Sequence, residues 1–233
     1  MRRVRCIFHA ERTPSLVIRS THFFCYGCGR RGPVGDLPSD LVALAKEDTE
    51  EEPEDISSQL EYIGSLRRLK HRGLEFPTDS RGYFIVWPDK SYYKYRLFEG
   101  KPKYIGPRGY KPPSFWARKE GQTLALVEGE INALSMSKAF PEYAVMSPGS
   151  TTNFNPQVLA NNLTHLKSYA NIVVILDNDE AGIKALIRTK AYFLYKFPFV
   201  DYLLLDQDAN DLFVESGTEG LRARVQKGLQ NRL

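Results

Sequence analysis

The sequence predicts an α/β protein in two parts, a short cysteine-bearing ribbon followed by a larger core built on a parallel sheet. Three observations carry that expectation. All three cysteines, Cys6, Cys25 and Cys28, fall within the first 28 of 233 residues. From residue 123 onward short apolar runs alternate with amphipathic stretches, the rhythm of strand–helix units stacked on a sheet that is buried on both faces. Between the two parts, residues 46–55 read KEDTEEEPED, seven acids against one lysine, a self-repelling composition suited to a flexible connection.

Taken in order, the apolar runs at 16–18 and 23–24 are the strands of a hairpin inside a ribbon spanning 1–38. An acidic linker follows over 39–57, within which 41–46 can form a short helix. The core occupies 58–233. Ser57 and Ser58 can cap a helix that carries Leu60, Ile63, Leu66 and Leu69 on one face and ends at Gly73. Residues 83–87 and 92–98 are strands separated by the turn signal Pro88-Asp89-Lys90-Ser91. Strands at 124–127, 143–146, 172–176 and 200–205, with helices at 131–140, 159–169 and 181–195, complete the parallel sheet.

Composition narrows the class. Hydrophobic residues make up 42% and charged residues 26%, ordinary values for a globular chain. No apolar run is long enough to span a bilayer, and no apolar segment follows the basic N-terminus, so a cytoplasmic protein is expected, in the host cytoplasm if viral. An odd cysteine count argues against a disulfide framework and toward metal binding. Residues 94–119 hold eight lysines and arginines against the single acid Glu99, interleaved with Tyr95, Phe98, Tyr104, Tyr110, Phe115 and Trp116. Cations near phosphates and aromatic faces for bases suit single-stranded nucleic acid, although a solvated basic face with core aromatics would read the same.

Cys6-x-x-His9 and Cys25-x-x-Cys28 are separated by fifteen residues. A two-residue gap lets both side chains of one tight turn reach a single ion, and the intervening hairpin brings the two turns together. Three thiolates and an imidazole fill a tetrahedral zinc site with no open position, the mark of a structural metal. His22, on the strand entering Cys25, is the rival for the fourth place.

Acids recur at the ends of the apolar runs of the core. Glu128 follows 124–127, Asp177 and Asp179 follow 172–176, and Asp206, Asp208 and Asp211 follow 200–205. Strand carboxyl ends are where open α/β sheets place their sites. Three such sets would converge on one crevice able to hold magnesium or manganese against phosphates. Each acid alone reads equally well as a helix N-cap.

These motifs resemble a known family. CIFHAERTPSLVI and FFCYGCGRRGPVGDL resemble the CHC2-type zinc-binding domain of DnaG-type bacterial DNA primases and their phage relatives. LVEGEINALS, ILDNDEAGIKAL and LLDQDANDLF look like the three acidic motifs of the TOPRIM fold, a Rossmann-like parallel sheet, here placed at about 122–215. They are nearest to the primase half of bacteriophage primase–helicases. LKHRGL and KPKYIG resemble primase-core segments. The resemblance implies a nucleotidyltransferase that makes short RNA primers on a single-stranded DNA template from ribonucleoside triphosphates. A separate replicative helicase and a DNA polymerase are the implied partners, since no P-loop occurs in the sequence.

By the same resemblance Glu128, Asp177, Asp179 and Asp208 would be catalytic acids and ligands of magnesium or manganese. Lys94, Arg96, Lys103 and Lys184 would hold template, nucleotide or primer phosphates. Cys6, His9, Cys25 and Cys28 would carry one zinc, with Arg30, Arg31, His22 and Phe24 as template contacts of the ribbon. Asn132 replaces the usual second acid of the first motif, and Gln207 a common lysine before the third, which leaves Asp206 and Asp208 open as alternatives. The alternative readings are a TOPRIM protein that binds single strands with weakened catalysis, and a TOPRIM nuclease.

Overall fold

In the computed structural model the described residues are 2–18, 21–47, 55–100, 104–107, 109–149, 153–194, 197 and 199–230. The chain divides into two compact units, Met1–Glu54 and Asp55–Leu233.

The first unit is a four-stranded antiparallel meander of β1 (Arg2–Val4), β2 (Leu16–Ile18), β3 (His22–Cys25) and β4 (Arg31–Pro33). It closes with the helix α1 (Ser39–Glu47), which takes up the first half of the stretch expected as linker. Its core is small: Cys6, Leu16, Ile18, Phe23, Cys25 and Leu37 are buried, with Val4, Phe8, Val34, Leu41 and Val42 against them.

The second unit begins with α2 (Ile56–Ser65). Asp55, not Ser57 or Ser58, caps it, its carboxylate accepting from the backbone N–H groups of both serines. The helix also stops eight residues short of the expected end. Residues beyond it form the hairpin β5 (Arg68–His71) and β6 (Leu74–Pro77). Its two-residue turn, Arg72 (φ 50°) and Gly73 (φ 74°), has positive φ at both positions, the geometry that matches strand twist. Gly73 therefore marks a hairpin rather than a helix end, and the helical spacing of Leu66 and Leu69 with Leu60 and Ile63 is coincidental.

A second antiparallel sheet holds β7 (Gly82–Val86), β8 (Tyr93–Leu97) and β9 (Tyr104–Ile105). The main sheet contains β10 (Phe115–Arg118), β11 (Thr123–Val127), β12 (Tyr143–Ser147), β13 (Asn171–Asp177) and β14 (Val200–Leu205), in the order β10-β12-β11-β13-β14. Four strands are parallel as expected; β10 adds an antiparallel edge on β12, so the sheet is mixed. The helices are α3 (Glu130–Ala139), α4 (Pro156–Asn161), α5 (Leu163–Leu166), α6 (Glu180–Phe193) and α7 (Ala209–Gln230), the last broken at Gly217. One helix was expected over 159–169. Asn162 interrupts it, its side-chain amide donating to Val158 O and Ser114 Oγ.

Alternate residues of each parallel strand feed opposite cores. Ala125, Val127, Val145, Val173, Ile175, Leu203 and Leu205 join a cluster with residues of α3 and α7. Leu124, Leu126, Ala144, Met146, Ile172, Val174 and Leu176 join Phe154, Leu159, Ala185 and Phe193 on the other face. Burial on both sides is the reason these strands read as unbroken apolar runs. The chain leaves β11 first to one side and then to the other, which puts the topological switch point, the usual place for a ligand crevice, beside the carboxyl end of β11. No helix among the described residues is long and apolar enough to cross a membrane.

Candidate functional site

In the first unit the ligand atoms of Cys6, His9, Cys25 and Cys28 all lie within 4.8 Å of one another. The Sγ atoms of Cys6 and Cys28 are 3.9 Å apart, and Cys25 Sγ is 3.9 Å from His9 Nδ1. A tetrahedral zinc with bonds of about 2.3 Å sets its sulfurs about 3.8 Å apart, so the four residues fit the ion. His22 lies outside the cluster, its Nδ1 3.0 Å from Thr21 Oγ1, which removes it as a rival ligand.

Glu11, which carries no metal-ligand signature in the sequence, organises this centre. Its Oε1 accepts from the backbone N–H of Cys6 at 2.6 Å and of Ser15 at 2.9 Å, and Oε2 lies 3.2 Å from His9 Nε2. A carboxylate on the outer nitrogen fixes which nitrogen of the imidazole faces the metal. Beside the centre, Val17, His22, Phe23, Phe24, Tyr26 and Arg31 line a hollow of about 340 Å³, and the Arg30 guanidinium sits 4.6 Å from the centre of the Phe8 ring.

In the second unit Glu128 leaves the end of β11, Asp177 ends β13, and Asp179 and Asp208 begin the helices that follow β13 and β14. Parallel register sets Val127 beside Ile175 and Asp177 beside Leu205, so the ends of β13 and β14 are level and that of β11 lies two residues short of them, which brings Glu128 beside the end of β13. The helix-cap reading of the acids also holds, for one oxygen of each of two residues. Asp179 Oδ1 accepts from Gly182 N at 2.7 Å, and Asp208 Oδ1 accepts from Asn210 N at 2.8 Å and Asp211 N at 3.2 Å. The second oxygen of each is not used by its cap. Gly182 allows this start of α6, since a Cβ there would stand 2.0 Å from Asp177 O.

Electrostatics tie the acids together. Burial, then the charges of Asp177, Asp179 and Asp208, pushes the Glu128 carboxyl up to about 7. Burial and the Asp208 charge push Asp177 up to about 6. Glu128 Oε2 is buried without a hydrogen-bond partner. A set of hard oxygen ligands that repel one another and leave one orphaned fits a divalent cation of the magnesium or manganese type. Among the described residues only the ribbon ligands close tightly on a single point. Glu128 and Asp208 line an open crevice instead, as suits ions that keep water and substrate ligands.

Glu128 and Asp208 share a hollow of about 390 Å³ with Arg72, Lys94, Arg96, Tyr104, Glu130, Asn132 and Asn210. Lys94 and Arg96 thus reach the site. Lys94 forms an ion pair with Glu130, which is 5% exposed, and the two cations sit 5.7 and 5.2 Å from the centre of the Tyr104 ring. Lys184 does not reach the hollow: it is exposed on α6, paired one turn back with Glu180. Lys103 lies outside the described residues. Asp206 points elsewhere, to Arg224 at 2.9 Å and Asn178 Nδ2 at 3.0 Å, which leaves Asp208 as the third-strand acid of the crevice.

Three residues of the hollow were not legible as site residues. Glu130 is the buried counterion of Lys94. Arg72 donates from Nε to Asn210 Oδ1 at 2.6 Å and pairs with Asp211. Asn210 is fully buried and donates to Arg72 O and Ser135 Oγ, while its backbone N–H reaches Asn132 Oδ1 at 3.4 Å. Asn132, the residue in place of an acid, therefore serves this buried network.

Comparison with known proteins places both units. The family described as CHC2 zinc finger matches residues 3–49, and the one described as Toprim-like matches residues 125–213. The chain is similar to the primase fragment of the bacteriophage T7 primase–helicase protein over 97% of its own length and 99% of that chain, at 18% identity and a TM-score of 0.50. It is similar to a primase domain in a bacteriophage T7 lagging-strand polymerase complex over 75% of itself and 86% of that chain, at 19% identity and a TM-score of 0.52. A DNA primase domain from Pseudomonas aeruginosa matches 74% of this chain and 59% of its own, at 16% identity and a TM-score of 0.50. No curated protein matches by sequence. At these identities the structural likeness is one of fold.

Proposed function

Since the chain belongs to the DnaG-type primases that carry an N-terminal zinc domain, we propose that it synthesises short RNA primers on single-stranded DNA by metal-dependent nucleotidyl transfer. The observation that carries the reading is the electrostatic coupling of Glu128, Asp177, Asp179 and Asp208 at the strand ends of one sheet, with Glu128 and Asp208 sharing a hollow with Lys94 and Arg96. Divalent cations held by those carboxylates would neutralise the triphosphate and favour the ionised form of the attacking hydroxyl.

The chain's own groups supply the rest. Lys94 and Arg96 bind the phosphates of the incoming ribonucleotide, and the Tyr104 ring beside them offers a face for a base. Glu128, at the end of β11 and lining the hollow, is placed to take the proton of the primer 3′-hydroxyl as that oxygen attacks the α-phosphate and pyrophosphate leaves. The ribbon, with His22, Phe24, Arg30 and Arg31 exposed or half-buried, contacts the template. The similar T7 primase domains are bound to an RNA/DNA hybrid and dTTP in a complex with a lagging-strand DNA polymerase. A DNA polymerase and a helicase as partners of this chain's activity follow by analogy.

Incubation with single-stranded DNA, labelled ribonucleotides and magnesium or manganese tests the reading. RNA oligomers that depend on template and metal are expected. Degradation of the DNA instead would replace the reading with that of a nuclease, and DNA binding without product would reduce it to that of a binding protein.

The carboxylates also make stability depend on pH in a stated direction. Glu128 and Asp177 hold protons more tightly when folded than their ordinary carboxylate range allows. Without divalent cations, their contribution is fully present below about pH 4 and is lost as pH rises through about 6 to 7. Magnesium or manganese competes with those protons. It is therefore expected to raise the melting temperature more at pH 8 than at pH 5, and Glu128→Gln is expected to flatten that difference. Thermal melts with and without the cation read this; an equal shift at both pH values would argue against a cation on these acids.

A further inference from the structure

The acids that line the carboxylate hollow differ in what they hold. Glu128 keeps a buried oxygen without a partner, and Asp208 uses one oxygen on its helix cap. Glu130 is engaged instead by Lys94. It opens α3 two residues after Glu128, at a helix N-terminus that favours an anion, while Lys94 lies within β8. The pair therefore ties the smaller antiparallel sheet to α3 at the hollow, with the lysine side chain 17% exposed and the glutamate 6%.

The ammonium is enclosed on its other sides. Its nitrogen stands 5.8 Å from the centre of the Trp87 ring and 5.7 Å from that of Tyr104. Trp87 is 1% exposed and fixed by its indole N–H, which donates to Pro113 O at 3.2 Å. Gly149, at φ 94° after β12, closes over the pair: a Cβ there would stand 3.2 Å from Glu130 Oε1 and 3.5 Å from Lys94 Nζ. The Gly149 backbone N–H donates to Ser147 Oγ, which in turn donates to Glu128 O, each at 2.9 Å. Arg96, two residues along the same strand and in the same hollow, has no acid within ion-pair distance among the described residues. One of the two cations is thus locked to a buried counterion and the other is not.

That difference matters to phosphates. A lysine on its four-carbon stem ordinarily loses conformational freedom when it grips a ligand. Lys94 has lost it already, so its charge is in place before phosphates arrive. The adjacent Glu130 anion meanwhile repels a triphosphate and weakens what Lys94 contributes to binding it. A contact that is weak toward bound substrate and fixed for the reacting one raises turnover rather than affinity.

We propose that Glu130 is a positioning residue for nucleotidyl transfer: it holds Lys94 for the reacting phosphates and lowers the affinity of the hollow for the unreacted ribonucleotide. The inference rests on the reading of Lys94 as a phosphate ligand.

The test compares steady-state ribonucleotide incorporation by the zinc-bound full chain with that of Glu130→Gln, Lys94→Met and the double variant. Glu130→Gln is expected to lower kcat roughly 10- to 30-fold and to lower KM for the ribonucleotide about 3- to 10-fold, a split that a damaged fold would not produce. Lys94→Met is expected to raise KM and lower kcat. In that background the amide is expected to change neither constant, because the group it acts through is gone. Where Glu130→Gln does not fold, Glu130→Asp carries the test: it keeps the charge but draws it back by one methylene. A kcat lowered about 3-fold or more at unchanged KM is then expected, and an unchanged kcat overturns the inference. An unchanged kcat or a raised KM in folded Glu130→Gln overturns it too, as does an undiminished effect of the amide in the Lys94→Met background. Normal constants in Lys94→Met would remove Lys94 from the phosphates, and the inference with it, leaving the carboxylate chemistry standing. Absence of product from the unmodified protein would overturn the primase reading as well.

Discussion

Asp177→Asn is expected to abolish primer synthesis, lowering ribonucleotide incorporation by roughly 100- to 1,000-fold, while DNA binding and the fold survive. The size follows from what the carboxylate would do: a metal ion that polarises a phosphoryl oxygen supplies several kcal/mol of transition-state stabilisation, and each 1.4 kcal/mol is about tenfold. The sparing of the fold follows from the site's electrostatics. Asp177 sits among Glu128, Asp208, Asp179 and Asp211, and burial and the charges of the three aspartates push its carboxyl up to about 6, so an amide removes repulsion and can still hydrogen-bond Glu128. The melting temperature without divalent cations is expected to stay level or rise, and the pH-dependent gain from magnesium to shrink. A filter-binding assay for DNA, an incorporation assay and a thermal melt together read the three expectations. Incorporation within a few-fold of the unmodified protein would remove Asp177 from the chemistry.

What could be read from the sequence has a common physical cause. The parallel strands were legible because burial on both faces leaves their central positions almost wholly apolar, Asp201 in the edge strand β14 being the exception, and the acids stood out as the charges that end such runs. The ribbon was legible because a tetrahedral ion imposes its spacing on the chain. The misreadings concern features set by distant partners. Leu66 and Leu69 continue the helical period of Leu60 and Ile63, but Arg72 and Gly73 form a turn that pairs β5 with β6, and Asn210, 138 residues away, holds that turn. Lys94 was assigned to phosphates without its buried partner Glu130, since two residues 36 apart show no pattern that links them. Lys184 follows the second acidic motif closely, yet helical geometry turns it toward Glu180 and solvent. The sequence reading has no helix after β14, where α7 lies, because Gly217 breaks it and only four of its residues are buried.

Removal of zinc is expected to unfold the first unit and leave the second folded. Among the described residues the buried cluster of the ribbon has six members, and two of them, Cys6 and Cys25, are ligands. So small a core cannot offset chain entropy without help. Structural zinc contributes about 10–16 kcal/mol in isolated fingers, as much as or more than the roughly 5–15 kcal/mol that holds a typical domain together. Cys25→Ser acts on the same balance at the most buried ligand, where a hydroxyl is a poor substitute for a thiolate. Its expected outcome is loss of the single bound zinc, protease cleavage within residues 2–47 and an unchanged transition for residues 55–233, which form a compact unit with hydrophobic clusters of their own. Initiation on template should vanish, while extension of a supplied RNA primer by the intact carboxylate site should persist at reduced rate. Glu11→Gln is the finer probe. It keeps every ligand but weakens the acceptor of the His9 Nε2 proton, so zinc affinity should fall about 10- to 100-fold with the fold retained at saturating metal. If Cys25→Ser retains both stoichiometric zinc and template-dependent initiation, the metal is not what holds the ribbon in its working form.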